Sequence, residues 1–281
     1  MAASTALSGP LADCDFLEPT MTDSLKLVTW NIFSYRARVD FLALFLDAVQ
    51  PDVIAIQEVK LEADRVPVEV FESRGYHVAI HGQPQWNGVL LASKQPLEDV
   101  HRGLPDGDEG QARLIAATTF GIRFVNLYCP QGSSAESPKF AYKLRFFDAL
   151  GAWIAANHTV DTPLCVLGDI NIAPDPEDVY SVDAMAGVPT YHPEEHKRWA
   201  ALVDWGLTDA VKGHVEPGKF SFWEYRAGAF HKNKGFRIDH FLVTSTVLQR
   251  VQSAQIHRSW RKKRGTLKPS DHAPVELIIS A

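Results

Sequence analysis

The chain is short of several things, and each shortage narrows its function. Only three cysteines occur in 281 residues: Cys14, Cys129 and Cys165. Three thiols cannot all pair within one chain, and their spacing fits no zinc motif. Reduced thiols and a cytoplasmic-type compartment are therefore expected. No apolar run approaches the ~18 residues of a membrane span, so no membrane partner is expected. The first 24 residues hold no lysine or arginine, which fits neither a secretory signal nor an Arg-rich transit peptide. Residues 1–24 are expected to form a disordered tail, and residues 25–281 a single domain, since no linker or repeat divides them. Positive charge is not in excess: 28 basic residues face 34 acidic ones, a formal net charge of -6. The total gives no sign of a nucleic-acid partner, although a local basic patch can act without a basic total.

What is present is ordinary for a globular protein, with 46% hydrophobic and 22% charged residues. Leu25 to Trp30 alternates in strand fashion and ends at Asn31. A helical stripe follows over Arg38 to Val49, then a short apolar strand, Val53 to Ile56, with Gln57 and Glu58 at its tip. Further on, the pattern predicts a short helix over Val66 to Arg74 and strands over Tyr76–Ile80, Val89–Ala92, Arg113–Thr119 and Arg123–Leu127. A helix over Lys139–Ala156 follows. The run Leu164 to Gly168 reads as a buried strand, and Asp175 to Tyr191 as irregular. Glu194–Trp205 reads as helix, and Phe236–Val243, Val251–Ile256 and Val275–Ile279 as strands. Nine to eleven strands with singly placed helices predict an α/β (α+β) protein with a mixed, largely antiparallel pair of sheets flanked by helices.

Polar groups recur where these strands end. Asp169 and Asn171 leave the tip of a buried strand two positions apart, on one face. Asn31, Glu58 and Tyr128 close other strands, Asp239 lies within one, and Asp271 and His272 precede the last. Each alone reads as a turn or packing residue. Together they are hard to explain by stability, because clustered carboxylates repel. Phosphodiester hydrolysis needs such a cluster. A hard divalent cation takes oxygen ligands, for which Glu58 and Asn31 are the candidates. Asp169 suits a base for the attacking water, while Asn171 holds the phosphate or orients Asp169. A histidine donating to the phosphate, such as His272, needs a carboxylate behind it, and Asp239 suits that part. Tyr128 bonds the phosphate or assists proton transfer.

The motifs Trp30-Asn31, Gln57-Glu58-Val59-Lys60, Leu127-Tyr128-Cys129-Pro130, Gly168-Asp169-Ile170-Asn171, Arg237-Ile238-Asp239 and Ser270-Asp271-His272-Ala273-Pro274 resemble, in order, those of the endonuclease/exonuclease/phosphatase superfamily. Tyr128 to Gly132, Lys139-Phe140, Phe222 to Arg226 and Gly235 to Asp239 resemble its exonuclease III and abasic-site endonuclease branch. The resemblance implies a four-layered, DNase I-like sandwich of two packed sheets flanked by helices. It also implies Mg²⁺- or Mn²⁺-dependent cleavage of double-stranded DNA 5′ to abasic sites, with 3′-exonuclease and 3′-phosphodiesterase or phosphatase action on damaged 3′ ends. By the same resemblance the metal lies around Asn31, Glu58 and Asp271, the base is Asp169, and the His–Asp pair is His272 and Asp239. Phe222, Phe236 and Ile238 match the walls of a pocket for a flipped-out abasic sugar, which suits apolar walls because no base remains to be read. A monomer working in the cytoplasm, beside the nucleoid in a bacterium, would fit.

The chain departs from that pattern after Asn31, where Ile32-Phe33-Ser34-Tyr35 replaces a common small residue, Leu and Arg. Val59 stands for a common Thr or Ser. Lys60 and Arg113 are candidate DNA contacts. The basic run from Arg258 to Arg264, extended by Lys268, is either a set of phosphate contacts or a solvated loop. Two other readings compete: a phosphomonoesterase or inositol/lipid phosphatase of the same superfamily, and a catalytically silent binder of damaged DNA.

Overall fold

Two parallel strand pairs set the frame. In the computed structural model, which describes residues 24–281, β1 (Ser24–Asn31) lies parallel to β2 (Val53–Gln57), with α1 (Tyr35–Val49) as the crossover between them. Parallel neighbours require such a crossover. The short α2 (Glu69–Glu72) leads into the hairpin of β3 (His77–His81) and β4 (Val89–Ser93). The chain then enters a second sheet through β5 (Glu98–Arg102), β6 (Leu114–Thr119) and β7 (Ile122–Tyr128). The crossover α3 (Pro138–Asn157) returns it to β8 (Leu164–Asp169), parallel to β7. After α4 (Val182–Met185) and α5 (Pro193–Trp205), β9 (Thr208–Asp209) and β10 (Asp239–Val243) complete that sheet. Finally α6 (Ser245–Leu248), β11 (Val251–Ile256) and β12 (Val275–Ser280) bring the chain back beside β1.

Each sheet has six strands, in the orders β11-β12-β1-β2-β4-β3 and β5-β6-β7-β8-β10-β9. Their inner faces share a core that includes Leu27, Ala55, Phe124, Cys165, Leu167 and Phe241. The outer faces are covered by helices. Phe41, Leu42 and Phe45 of α1 pack on Trp30 and Ile56, and Phe146, Phe147 and Leu150 of α3 pack on Val125 and Val166. The expected four layers are present. One polar clasp crosses the core near the site: Gln57 Nε2 donates to Asn126 Oδ1 at 2.7 Å, and Asn126 Nδ2 donates to the carbonyls of Ile56 and Leu90.

Several boundaries differ from the sequence reading. The tail expected over residues 1–24, Cys14 with it, lies outside the described residues, except that Ser24 opens β1. The helix expected from Val66 to Arg74 shrinks to Glu69–Glu72, because Pro67 blocks earlier helical hydrogen bonds. The strand expected from Phe236 begins at Asp239, since Phe236 pairs its backbone with Phe222 instead. Two short helical turns, Pro176–Asp178 and α4, interrupt the segment read as irregular. Strand β5 was not expected, because its Glu98-Asp99-Val100-His101-Arg102 has no apolar alternation.

Candidate active site

The two parallel pairs end at the same edge of the sandwich. In the first sheet Asn31 stands beside Gln57, so Asn31 and Glu58 meet. In the second sheet Tyr128 stands beside Asp169. The register of that pair requires a glycine before Asp169. A Cβ on Gly168 would lie 2.0 Å from the Leu127 carbonyl oxygen, and its φ is 140°.

Asn31 joins the sheets. Its Nδ2 donates to Glu58 Oε1 and to Asp169 Oδ2, both at 2.8 Å, while its Oδ1 accepts from Phe33 N at 2.9 Å. Two carboxylate oxygens can face only the amide nitrogen, which fixes the orientation of the group. Lys60 Nζ pairs with the other Glu58 oxygen at 2.6 Å and lies 3.9 Å from the centre of the Phe33 ring. Ser270, which belongs to the last of the motifs but has no expected role of its own, donates to the Asn31 carbonyl at 2.7 Å and accepts from His272 N at 3.1 Å. The loop carrying Asp271 and His272 is thereby tied to the tip of β1. No pattern in the sequence marks that role.

His272 Nδ1 is 2.8 Å from Asp239 Oδ2, and its Nε2 is 3.7 Å from Asp169 Oδ2. Burial opposes a charge on His272, but Asp239 and Asp169 outweigh it and push its pKa up to about 10. The imidazole is therefore protonated, with Nε2–H facing the site. Burial pushes Asp169 up to about 7, against the pull of His272 and with Asp239 and Glu58 adding to the rise. Asp271 is also raised, by burial first and by Glu58 among its neighbours, while His272 opposes it. Burial, then Glu58 and Asp169, hold the Tyr128 hydroxyl well above its ordinary value, so it stays protonated. Asn171 sits at φ 56° and donates from Nδ2 to the Cys129 carbonyl at 3.0 Å.

Glu58 is among the groups that raise Asp271, and oxygen donors dominate this largely buried place, which suits a hard divalent cation. Asp169, Asp239 and His272 also bring ligand atoms within 4.8 Å of one another. That trio fits a metal less well, because His272 Nδ1 and Asp239 Oδ2 are already joined to each other at 2.8 Å. Asp239 Oδ1 is buried without a hydrogen-bond partner.

Phe222 and Phe236 stack with ring centres 6.1 Å apart, Phe222 lies 4.8 Å from His272, and Ile238 completes the wall with Tyr180 and Tyr191 packed against it. Behind this wall Arg237 is buried and pairs with Asp178 and Asp209, each at 2.6 Å. Arg113, expected to touch DNA, is half-buried beside Tyr128. Its guanidinium donates to the Tyr128 carbonyl at 3.1 Å and lies over the Tyr128 ring, so it braces that residue. The basic run divides by residue type. Arg258 lies over Trp223 and Phe230, Arg261 over Tyr225, and Arg264 over Trp260. Arg264 is exposed despite that contact; Lys262, Lys263 and Lys268 are exposed too, and they line a cleft of about 480 Å³ with Glu224, Tyr225 and His231.

Carboxylates, an amide and a protonated histidine at one edge of a helix-flanked double sheet define a phosphoester hydrolase. The chain belongs to the endonuclease/exonuclease/phosphatase family, whose model matches residues 28–272, and within it to the exonuclease III branch. It is 36% identical to exodeoxyribonuclease III of Haemophilus influenzae over 89% of this chain and 98% of that protein. Two solved structures superpose with a TM-score of 0.86, each covering 92% of this chain and 100% of the other. One is the 3′ phosphatase NExo from Neisseria bound to a product DNA hairpin, at 34% identity; the other is an AP endonuclease from Archaeoglobus fulgidus, at 30%. The chain is accordingly a DNA-repair nuclease of the exonuclease III type, from a family whose chemistry depends on metal.

Proposed function

We propose that residues 25–281 form one catalytic domain that cleaves double-stranded DNA 5′ to abasic sites, and trims damaged 3′ ends, with Mg²⁺ or Mn²⁺. The observation that carries this reading is that Asn31 joins Glu58 to Asp169 while His272 Nε2 lies 3.7 Å from Asp169, beside an apolar wall. Asp169 takes the proton of the attacking water; a carboxylate titrating near neutrality is suited to that task. The oxygen of that water forms the new bond to phosphorus as the bond to the 3′ oxygen breaks. His272 donates from Nε2 to a phosphate oxygen, and Asp239 holds its tautomer and charge. Asn171 and the Tyr128 hydroxyl donate to the remaining oxygens, so the groups are in place before charge develops. Asn31 keeps Glu58 and Asp169 at their separation. A divalent cation, held by Glu58 and Asp271 with Asn31 alongside, would neutralise phosphate charge.

Phe222, Phe236 and Ile238 suit a baseless sugar better than a polyhydroxylated headgroup, because an apolar wall would leave inositol hydroxyls without partners. Lys60 and the exposed lysine cleft support a phosphate backbone as partner. No helix among the described residues is long and apolar enough to cross a membrane. One chain supplies every group named, which supports a monomer. Cys129 and Cys165 are free and buried, which supports a reducing, cytoplasmic setting. The test is incision of a duplex with one abasic analogue, with and without excess chelator, by the wild type and Asp169→Asn. Chelator is expected to abolish cutting. Asp169→Asn should lower kcat by about 10²- to 10⁴-fold with unfolding unchanged. Full turnover in chelator, or by Asp169→Asn, would refute the mechanism.

A further inference from the structure

Behind the site lies a buried ion pair that has no part in the chemistry described so far. Lys143 of α3 and Glu195 in the first turn of α5 are both 0% exposed and are joined in a salt bridge. The ammonium also donates to the carbonyl of Asn171 at 2.7 Å and of Gln131 at 3.3 Å. Glu195 accepts from Thr190 N through both oxygens, at 3.1 and 2.8 Å, and from His192 N at 3.1 Å. All three ammonium protons have acceptors, and each carboxylate oxygen has two donors.

Such a pair is a costly way to fill a core. Desolvation offsets most of the attraction, and apolar residues of similar volume often serve stability as well or better. What this pair fixes is geometry. Asn171 holds a left-handed backbone, φ 56°, that non-glycine residues seldom adopt. Its carbonyl is held by Lys143, and its side-chain amide is held by Cys129. Lys143 thus ties the tip of β8 to the Cys129–Gln131 segment. Glu195 carries the tie on to residues 190–192, where Tyr191 packs against the aromatic wall.

We propose that Lys143 and Glu195 are a positioning pair for turnover: they hold Asn171 against the Cys129–Gln131 segment in the conformation that meets the phosphate. This rests on the reading of Asn171 as a phosphate contact. Lys143→Met alone would leave the Glu195 charge buried and unpaired, so the measurement uses Lys143→Met/Glu195→Gln. That variant is neutral, and its amide oxygen still accepts from Thr190 and His192. The double variant should unfold cooperatively, keep KM for an abasic duplex within about threefold, and lose about ten- to a hundredfold in kcat, the scale of a small misplacement. Adding Asn171→Ala to it should cost less than Asn171→Ala costs the wild type, because the side chain is already out of place. A folded double variant with wild-type kcat overturns the proposal, as do additive losses. An unfolded double variant also overturns it, since the pair would then hold the fold rather than the site. If Asn171→Ala leaves wild-type turnover intact, the phosphate role of Asn171 falls, and this proposal with it. If only the paired variant is unaffected, that role stands and the positioning claim alone fails.

Discussion

His272 and Asp169 must be in opposite protonation states for the proposed chemistry, and their surroundings leave a window in which both are. Asp169 works as a base only once it has lost its proton. Its active form therefore grows as pH rises through about 7, where burial has placed it. His272 works only while protonated, so its contribution is lost as pH rises toward about 10. The expected profile of kcat/KM is a bell with its lower limb in the neutral range, not near the pKa of an ordinary aspartate. A bound divalent cation would shift that limb downward. Rates on an abasic duplex from about pH 5.5 to 10.5, in wild type and Asp239→Asn, check this; Asp239→Asn should pull the upper limb down by removing the carboxylate that holds the imidazolium. An upper limb that does not move would detach Asp239 from that task. At this scale much of the site was legible, because Asn31, Glu58, Tyr128 and Asp169 each end an apolar strand that cannot itself use a polar tip. Lys143 was less so. It falls on the apolar stripe of α3, three residues after Phe140, but a lone lysine on a helix usually reaches solvent.

Among the elements, the parallel pair of β7 and β8 decides where the base stands. Gly168 lets the two backbones approach so that Tyr128 and Asp169 come side by side. A methyl group there would collide with the Leu127 carbonyl oxygen on a backbone conformation already unsuited to it. Gly168→Ala is expected to destabilise the protein by about 2–4 kcal/mol, read from urea unfolding, and to reduce turnover in the fraction still folded. Unchanged stability would show that the sheet yields there. Of the strands that carry chemistry, β2 and β8 were legible as short apolar runs buried throughout, and β1 by its alternation. Edge strand β5 was not, since an edge half in water needs no apolar pattern. The early start assigned to β10 has a similar cause. Phe236 looks like a strand residue, yet its ring belongs to the pocket wall and its backbone pairs with Phe222.

Over the whole molecule, a negative total hides a local positive face. The arginines of the basic run lie over Trp223, Tyr225, Phe230 and Trp260, with Arg264 still exposed, while the exposed Lys262, Lys263 and Lys268 line a cleft of their own. Sequence could not separate the two groups, because both look like one charge run. Changing all three lysines to alanine should weaken duplex binding and reduce the slope of log K against log salt by about 2 to 3, roughly 0.9 for each phosphate no longer neutralised. Anisotropy titrations between about 50 and 200 mM salt measure it, and an unaltered slope would remove these lysines from the DNA path. A pair of sheets flanked by helices followed from apolar runs and single helices, the four-layered sandwich from the family resemblance, and the closeness of the two sheets at the site from neither. That closeness has its own consequence. Asn31 shares one nitrogen between a carboxylate of each sheet. The nitrogen is a gauge of sheet spacing: a slide of one layer past the other by an ångström breaks one of its two bonds. A cavity cut between the layers, far from any substrate, would register first as lost turnover, before the fold itself gave way.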